Sequence, residues 1–283
     1  GAHRLFSDGA IHFRIGMRPE GRGRQRVILV TGGGGLIGGA LVARLRSEGH
    51  EVWAPSRSKR NSAGLDLDQP NNGTFPEAIQ TAFLSAWRGG VVEAAQDEWA
   101  TWRTNVEGNL ALIKRLREQS VNMVFLSTSL VFAGTETSAH APLSPCCYYA
   151  EQKAAIEAAL DPHKDVIVRM TKVGETLLPR LRQWAASLRA GGSIAVARGL
   201  RLAPVLLDEA VDGLAGLARD HLPGIYQMSA LRDHSYFDLA ASLSSVVGGV
   251  VADDPDAGKD VFRPIPVSGR LTICSPVGSS AWP

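Results

Sequence analysis

"RVILVTGGGGLIGGALVARLRSEGHEV", residues 26–52, passes from a block of β-branched residues through a crowd of glycines into a stretch with helical spacing. RVILVT is an unbroken apolar run, the pattern of a strand buried on both faces. LIGGALVARLRSEG then places apolar residues at helical intervals, with Gly49 positioned to end the helix. Between them stands the spacing Thr31-Gly32-x-x-Gly35-x-x-Gly38. A strand, a glycine turn and a helix in this order form a dinucleotide fingerprint. Gly32 permits the tight turn, Gly35 leaves room for a pyrophosphate against the main chain, and Gly38 lets the helix pack closely. The helix N-terminus, with Leu36 and Ile37 in its first turn, offers free N–H groups and a positive dipole end to an anion. Without a ligand, the same stretch would be only a glycine-rich turn.

Strand and helix alternate from there. HEVWAP, TAFLSAW, VNMVFLSTSLVF, DVIVRM and GIYQMS read as strands. WATWRTNVEGNLALIKRLREQ, YYAEQKAAIEAAL, LLPRLRQWAASLRAGG, LDEAVDGLAGLARD and YFDLAASLSSVVG read as helices. This alternation predicts an α/β fold, a doubly wound parallel sheet of Rossmann type with a small C-terminal substrate lobe. The expected division is a leader over 1–25, a dinucleotide-binding domain over 26–172 plus about 203–229, and a substrate lobe over about 173–202 and 230–283. GAHRLFSDGAIHFRIG, ahead of Met17, reads as a tag remnant or overlong start, and RPEGRGRQ as a mobile basic leader. The tail from Asp253 is rich in Pro and Gly and reads as mostly irregular.

Composition narrows the partners. A net charge of +2 with dispersed basic residues gives no footprint for nucleic acid. No apolar run reaches the roughly 18 residues of a membrane span. Cys146, Cys147 and Cys274 are too few for a disulfide framework and fit a reducing cytoplasm. The seven histidines form no ligand spacing, so no metal is expected.

At the end of the second strand an acid would hold the ribose 2′-hydroxyl of NAD, whereas an arginine accommodates the 2′-phosphate of NADP. The sequence reads APSRSKR there: Ser56 stands at the acid position, with Arg57, Ser58, Lys59 and Arg60 behind it. NADP is therefore the expected cofactor. Asp66 and Leu67, in GLDLD, are placed where an adenine could rest.

Tyr149 and Lys153 are four residues apart in a helical stretch and share one face. An ammonium beside a phenol stabilises its anion, so such a tyrosine can pass a proton to a carbonyl oxygen as hydride reaches the carbon. Thr128, at the end of a strand, could hydrogen-bond the same oxygen. Cys146 and Cys147 near Tyr149 read as packing rather than redox thiols. Trp99 and Trp102, three apart on one helix face, read as core or subunit packing.

TGGGGLIG, STSLVF and YAEQK, in this order, resemble the extended short-chain dehydrogenase/reductase family of sugar-nucleotide-modifying enzymes, over residues 26 to about 230. The resemblance implies a catalytic set of Thr128, Tyr149 and Lys153, with the lysine also on the nicotinamide ribose. Within the family the chain is most similar to the dTDP-4-dehydrorhamnose reductases: the passage to LDLDQP is abbreviated, STSLVFAG follows their Ser-Thr-x-x-Val-Phe-x-Gly segment, and VFRPIPVS resembles their late Arg-Pro element. Departures prune the activities. Ser129-Leu130 stand where 4,6-dehydratases carry Asp-Glu, and Leu130 where the epimerase-reductases making GDP-fucose carry cysteine. Leu84-Ser85-Ala86 replaces the common Asn-Ala-Ala and leads into Trp87-Arg88-Gly89-Gly90. That strand end borders the cofactor in the family, which assigns Ser85 and Ala86 to the cofactor and Trp87 to the substrate.

Among Lys172, Arg180, Arg182, Arg189, Arg198, Arg201 and Arg232, one or two are expected to touch the phosphates of a nucleotide-diphosphate sugar; Lys172, Arg180 and Arg201 are the candidates. The resemblance also implies a homodimer formed by the long helix and the Tyr/Lys helix. The expected activity is NADPH-dependent reduction of a keto group, most plainly on a nucleotide-linked 4-keto sugar. The rivals are a nucleotide-sugar 4-epimerase of the same fold and a non-catalytic NADP-binding regulatory subunit.

Overall fold

The computed structural model describes residues 27–56, 64–70, 74–76, 78–262 and 269–272. The sequence readings on the leader, on Arg57, Ser58, Lys59 and Arg60, on Cys274 and on most of VFRPIPVS lie outside the described residues.

Six parallel strands make the central sheet: β1 (Val27–Val30), β2 (Glu51–Trp53), β3 (Ile79–Leu84), β4 (Asn122–Thr128), β5 (Val166–Met170) and β8 (Gly224–Met228). Their order is β2-β1-β3-β4-β5-β8, so the chain reverses its direction of travel across the sheet between β1 and β3. Consecutive strand residues feed opposite faces. Val27, Leu29, Leu84, Met123 and Phe125 join one cluster, and Ile28, Val30, Phe83, Val124 and Leu126 the other. Burial on both sides is why these strands read as continuous apolar runs.

Helices α1 (Leu36–Ser47) and α7 (Leu207–Asp220) cover the second face through Leu41, Leu45, Leu214 and Leu217. On the first face lie α4 (Gly108–Glu118) and α5 (Tyr148–Glu157), which bury Leu112, Leu116 and Ile156. The layered parallel sheet matches the expected architecture.

The long helix expected over residues 99–119 is built in three pieces. Short helix α3 (Glu98–Trp102) leads into a π-helical turn, Arg103–Glu107, and then α4, with a separate short helix α2 (Val91–Gln96) ahead of them. The π turn widens the helix where Asn105 turns inward. Trp102 packs against the core, but Trp99 is 72% exposed, so core packing fails for it; its ring lies under the Arg103 guanidinium at 5.5 Å.

Two strand pairs were not expected. β6 (Ser193–Val196) pairs in parallel with β10 (Val250–Asp253), and β7 (Arg201–Leu202) pairs antiparallel with β9 (His234–Ser235). Together with α6 (Leu178–Arg189) and α8 (Tyr236–Val247), β6 and β10 enclose a separate cluster of Trp184, Leu188, Ile194, Val196 and Ala240. Among the described residues no helix is long and apolar enough to cross a membrane.

Candidate active site

The carboxyl ends of β1 and β3 flank the point where the strand order reverses, and open α/β sheets offer a ligand crevice at such a point. The turn after β1 is held by Thr31, whose hydroxyl donates to the Phe83 carbonyl at 3.1 Å and accepts from the Ser85 and Ala86 N–H groups, both at 3.0 Å. The Ser85 hydroxyl returns a bond to the Thr31 carbonyl. Thr31 thus ties the two strand ends together, and its hydroxyl is occupied by the protein.

Gly32 has φ +70°, and a Cβ there would stand 2.8 Å from the Ala86 Cα. Gly38 is buried against the Gly32 carbonyl, so a Cβ at that position has no room. Gly35 is the N-cap of α1, with no side-chain cap, and no acid occupies the first turn. The first N–H groups of α1 and its positive end are therefore not offset by a local carboxylate, which suits a phosphate.

A cleft of about 450 Å³ opens above this turn. It brings together Thr31, Gly32, Gly35, Leu67, Ser85, Ala86 and Trp87 of the expected set. It also takes in Ser56 at the end of β2, with Gly34, Pro55, Leu65, Arg88 and Thr104. Leu36, Ile37, Gly38 and Asp66 are not on its wall. Gly38 shapes the turn from beneath, Ile37 packs into the core, and the Asp66 carboxylate turns back to accept the Asp68 N–H at 3.0 Å. Leu65 takes the place in the wall that was expected of Asp66.

Tyr149 and Lys153 rise on one face of α5 beside the end of β4, which carries Thr128. Lys153 is 4% exposed, and its Nζ donates to the Leu126 carbonyl at 2.6 Å. Around it stand the rings of Trp87, Phe125 and Tyr149, with centroids 3.6, 4.9 and 5.8 Å from Nζ. Burial pulls the ammonium down to about 7, against a smaller opposing effect of Glu157. Burial also pushes the Tyr149 phenol up, so the hydroxyl keeps its proton at neutral pH. The Thr128 hydroxyl accepts the Leu130 N–H at 3.3 Å, which leaves its own proton to offer. Neither Tyr149 nor Lys153 lines the cleft; the Trp87 indole stands at its wall and in edge contact with the Tyr149 ring at 5.9 Å.

Beneath this pair is a charge that sequence reading missed. Glu157, one turn past Lys153, accepts from both Nε and Nη2 of the Arg169 guanidinium and from the hydroxyl of Ser127, the neighbour of Thr128. It locks α5, β4 and β5 together. Asn105 was also missed. Its side chain brackets the Arg88 backbone, accepting the N–H at 2.7 Å and donating to the carbonyl at 3.0 Å, and it also bonds Gln152. The stripe Thr101, Asn105 and Asn109, small polar residues spaced by four on the face that is buried, was the signal.

Lys172 and Arg180 come together, and desolvation of the ammonium by the protein around it, followed by the neighbouring guanidinium, draws the lysine below its usual range although the residue is exposed. Arg180 also lies over the Tyr236 ring at 5.8 Å. Arg201 faces Asp238 instead, and none of the three lines the cleft. Cys146 and Cys147 are buried free thiols packed against Ala150 and Tyr149, as expected. Among the described residues no group of His, Cys, Asp and Glu is placed to hold a metal ion.

The model of the NAD dependent epimerase/dehydratase family matches residues 28–166. A dTDP-4-keto-6-deoxy-D-glucose reductase of Streptomyces niveus is 27% identical over 275 residues, covering 90% of this chain and 89% of its own. The fold is shared with a dTDP-4-dehydrorhamnose reductase of Bacillus anthracis solved in complex with NADP: TM-score 0.72, 17% identity, 88% of this chain and 91% of that one. It is shared as well with a hypothetical dTDP-4-dehydrorhamnose reductase of Sulfolobus tokodaii, at TM-score 0.69, 21% identity, and 86% and 91% coverage.

Proposed function

We propose, for a chain that belongs to the extended short-chain dehydrogenase/reductase family with its NAD-dependent epimerases and dehydratases, an NADPH-dependent reductase that acts on the keto group of a nucleotide-linked 4-keto sugar. The observation that carries the reading is the Tyr149/Lys153 face of α5 beside Thr128, next to a glycine-lined cleft at the sheet's reversal point.

The cleft fits a dinucleotide. Its floor has no room for a Cβ at Gly32 or Gly38, and the α1 N-terminus faces it without a competing acid. Gly32, Gly34, Gly35, Ser85 and Ala86 would hold the coenzyme, and Leu65 and Leu67 would take the adenine. The end of β2 supports NADP over NAD, because Pro55 and Ser56 line the cleft there and present no carboxylate to repel a 2′-phosphate. A nicotinamide coenzyme bound there would supply the hydride for the carbonyl carbon. The chain supplies the rest: Tyr149 gives its proton to the carbonyl oxygen, Lys153 stabilises the resulting phenolate, and Thr128 donates a hydrogen bond to the same oxygen. A phenol kept protonated by burial is suited to the acid role.

We assign the substrate lobe to α6, α8 and the strand pairs beside them, with Trp87 at the cleft wall and Lys172 with Arg180 as the phosphate-facing cations. We also propose a homodimer through α4 and α5. The test is a spectrophotometric assay with a panel of nucleotide keto sugars that includes dTDP-4-keto-6-deoxyglucose. Stoichiometric loss of NADPH with formation of the alcohol is expected. Interconversion of sugars without net NADPH loss would instead identify a 4-epimerase.

A further inference from the structure

Trp87 touches both halves of the proposed machinery. It lines the dinucleotide cleft, whereas Tyr149 and Lys153 lie behind it. Its indole face is 3.6 Å from the Lys153 Nζ, nearer than any other ring. Indole is the strongest aromatic partner for a cation, and the interaction strengthens where water is excluded. Away from the cleft the ring is held by packed neighbours. It meets Phe125 at 6.2 Å and Tyr149 at 5.9 Å between centroids, and the next residue, Arg88, has its backbone bracketed by Asn105. The indole Nε1 is buried without a hydrogen-bond partner, a disposition that favours the ring's face over its polar edge. Among the described residues, the Leu126 carbonyl is the hydrogen-bond acceptor that meets the lysine.

We propose that Trp87 is a positioning residue: its indole face holds the Lys153 ammonium against the Leu126 carbonyl in the ligand-free protein, and so sets the charge with which the lysine meets the coenzyme. The inference rests on the reductase reading for its purpose, though not for its test. The other charged and titratable groups around the lysine are few. Tyr149 and Glu157 lie on its own helix, and Glu157 is neutralised by Arg169 from β5 and bonded by Ser127 from β4. On the strand side Arg88 turns outward toward Asp97, 3.8 Å away. Beside the Leu126 carbonyl and the partly offset charge of Glu157, the aromatic face is therefore the remaining close support of the cation, which sits near the balance point of its two forms at neutral pH.

The indole is also a reporter. The emission of Trp87, isolated as the difference between the wild type and Trp87→Phe, is expected to titrate with a midpoint near pH 7 in the ligand-free protein. Lys153→Met, which keeps the box filled, is expected to abolish that titration. Calorimetry with NADP+ supplies the second readout. The midpoint of its pH-dependent affinity should fall by about one unit in Trp87→Leu and return to within a few tenths in Trp87→Phe, which retains an aromatic face. A flat difference emission, a titration that survives Lys153→Met, or equal midpoints in the Leu and Phe variants would overturn the proposal. Failure of the reductase reading looks different: no net NADPH is then lost with the keto-sugar panel, while the ligand-free titration is unaffected.

Discussion

A single methyl group at Gly38 would press into the carbonyl oxygen of Gly32, and neither the turn nor the helix start can yield without moving the other. Gly38→Ala is expected to cost about 1–3 kcal/mol of stability, the usual penalty for overpacking. It should also weaken NADP+ binding, because the turn proposed to receive the phosphates is displaced; thermal unfolding and calorimetry check the two effects. Ser56 gives a sharper test of coenzyme choice. An aspartate there would face the 2′-phosphate and could hold a 2′-hydroxyl. Ser56→Asp should therefore move the ratio of kcat/KM for NADPH over NADH toward NADH by at least about tenfold.

The elements differ in how plainly the sequence announces them. The sheet strands are legible because a strand covered by helices on both faces is dominated by apolar residues, as in VILV; in VIVRM the one charge, Arg169, is paired with Glu157. The glycine turn is legible because its chemistry is local. β6 and β10 are not, since four-residue strands such as SIAV and VVAD acquire their meaning only from each other. The π turn at Arg103–Glu107, RTNVE, holds no proline or glycine and so leaves no break to read. In the site, the Tyr149/Lys153 spacing is a property of one helix, whereas the contact of Trp87 with Lys153 joins distant segments and has no signature. The same holds for Glu157 and Arg169, whose pairing clamps α5 to β5. Glu157→Ala leaves a buried guanidinium without its counter-ion and is expected to destabilise by about 3–5 kcal/mol, measured by denaturant unfolding.

For the molecule as a whole, the buried lysine has a price in stability that depends on pH. Its ammonium is held at about 7 in the folded chain against 10.5 as the reference. Between these values the unfolded chain binds the extra proton, so this group's contribution to stability rises with pH; below about pH 7 its full penalty applies. Lys153→Met should therefore stabilise the protein at pH 6 by on the order of 2–4 kcal/mol, and the gain should fade as pH approaches 10.5. A fold that keeps such a cost in its core fits a group retained for chemistry. The central claim is that the Tyr149 hydroxyl delivers the proton in keto-group reduction. Its most direct measurement is single-turnover NADPH oxidation by Tyr149→Phe with dTDP-4-keto-6-deoxyglucose, alongside NADP+ affinity by calorimetry. Affinity within about twofold of wild type, with the rate down by roughly a thousandfold or more, is the predicted result. Oxidation at the wild-type rate would contradict it.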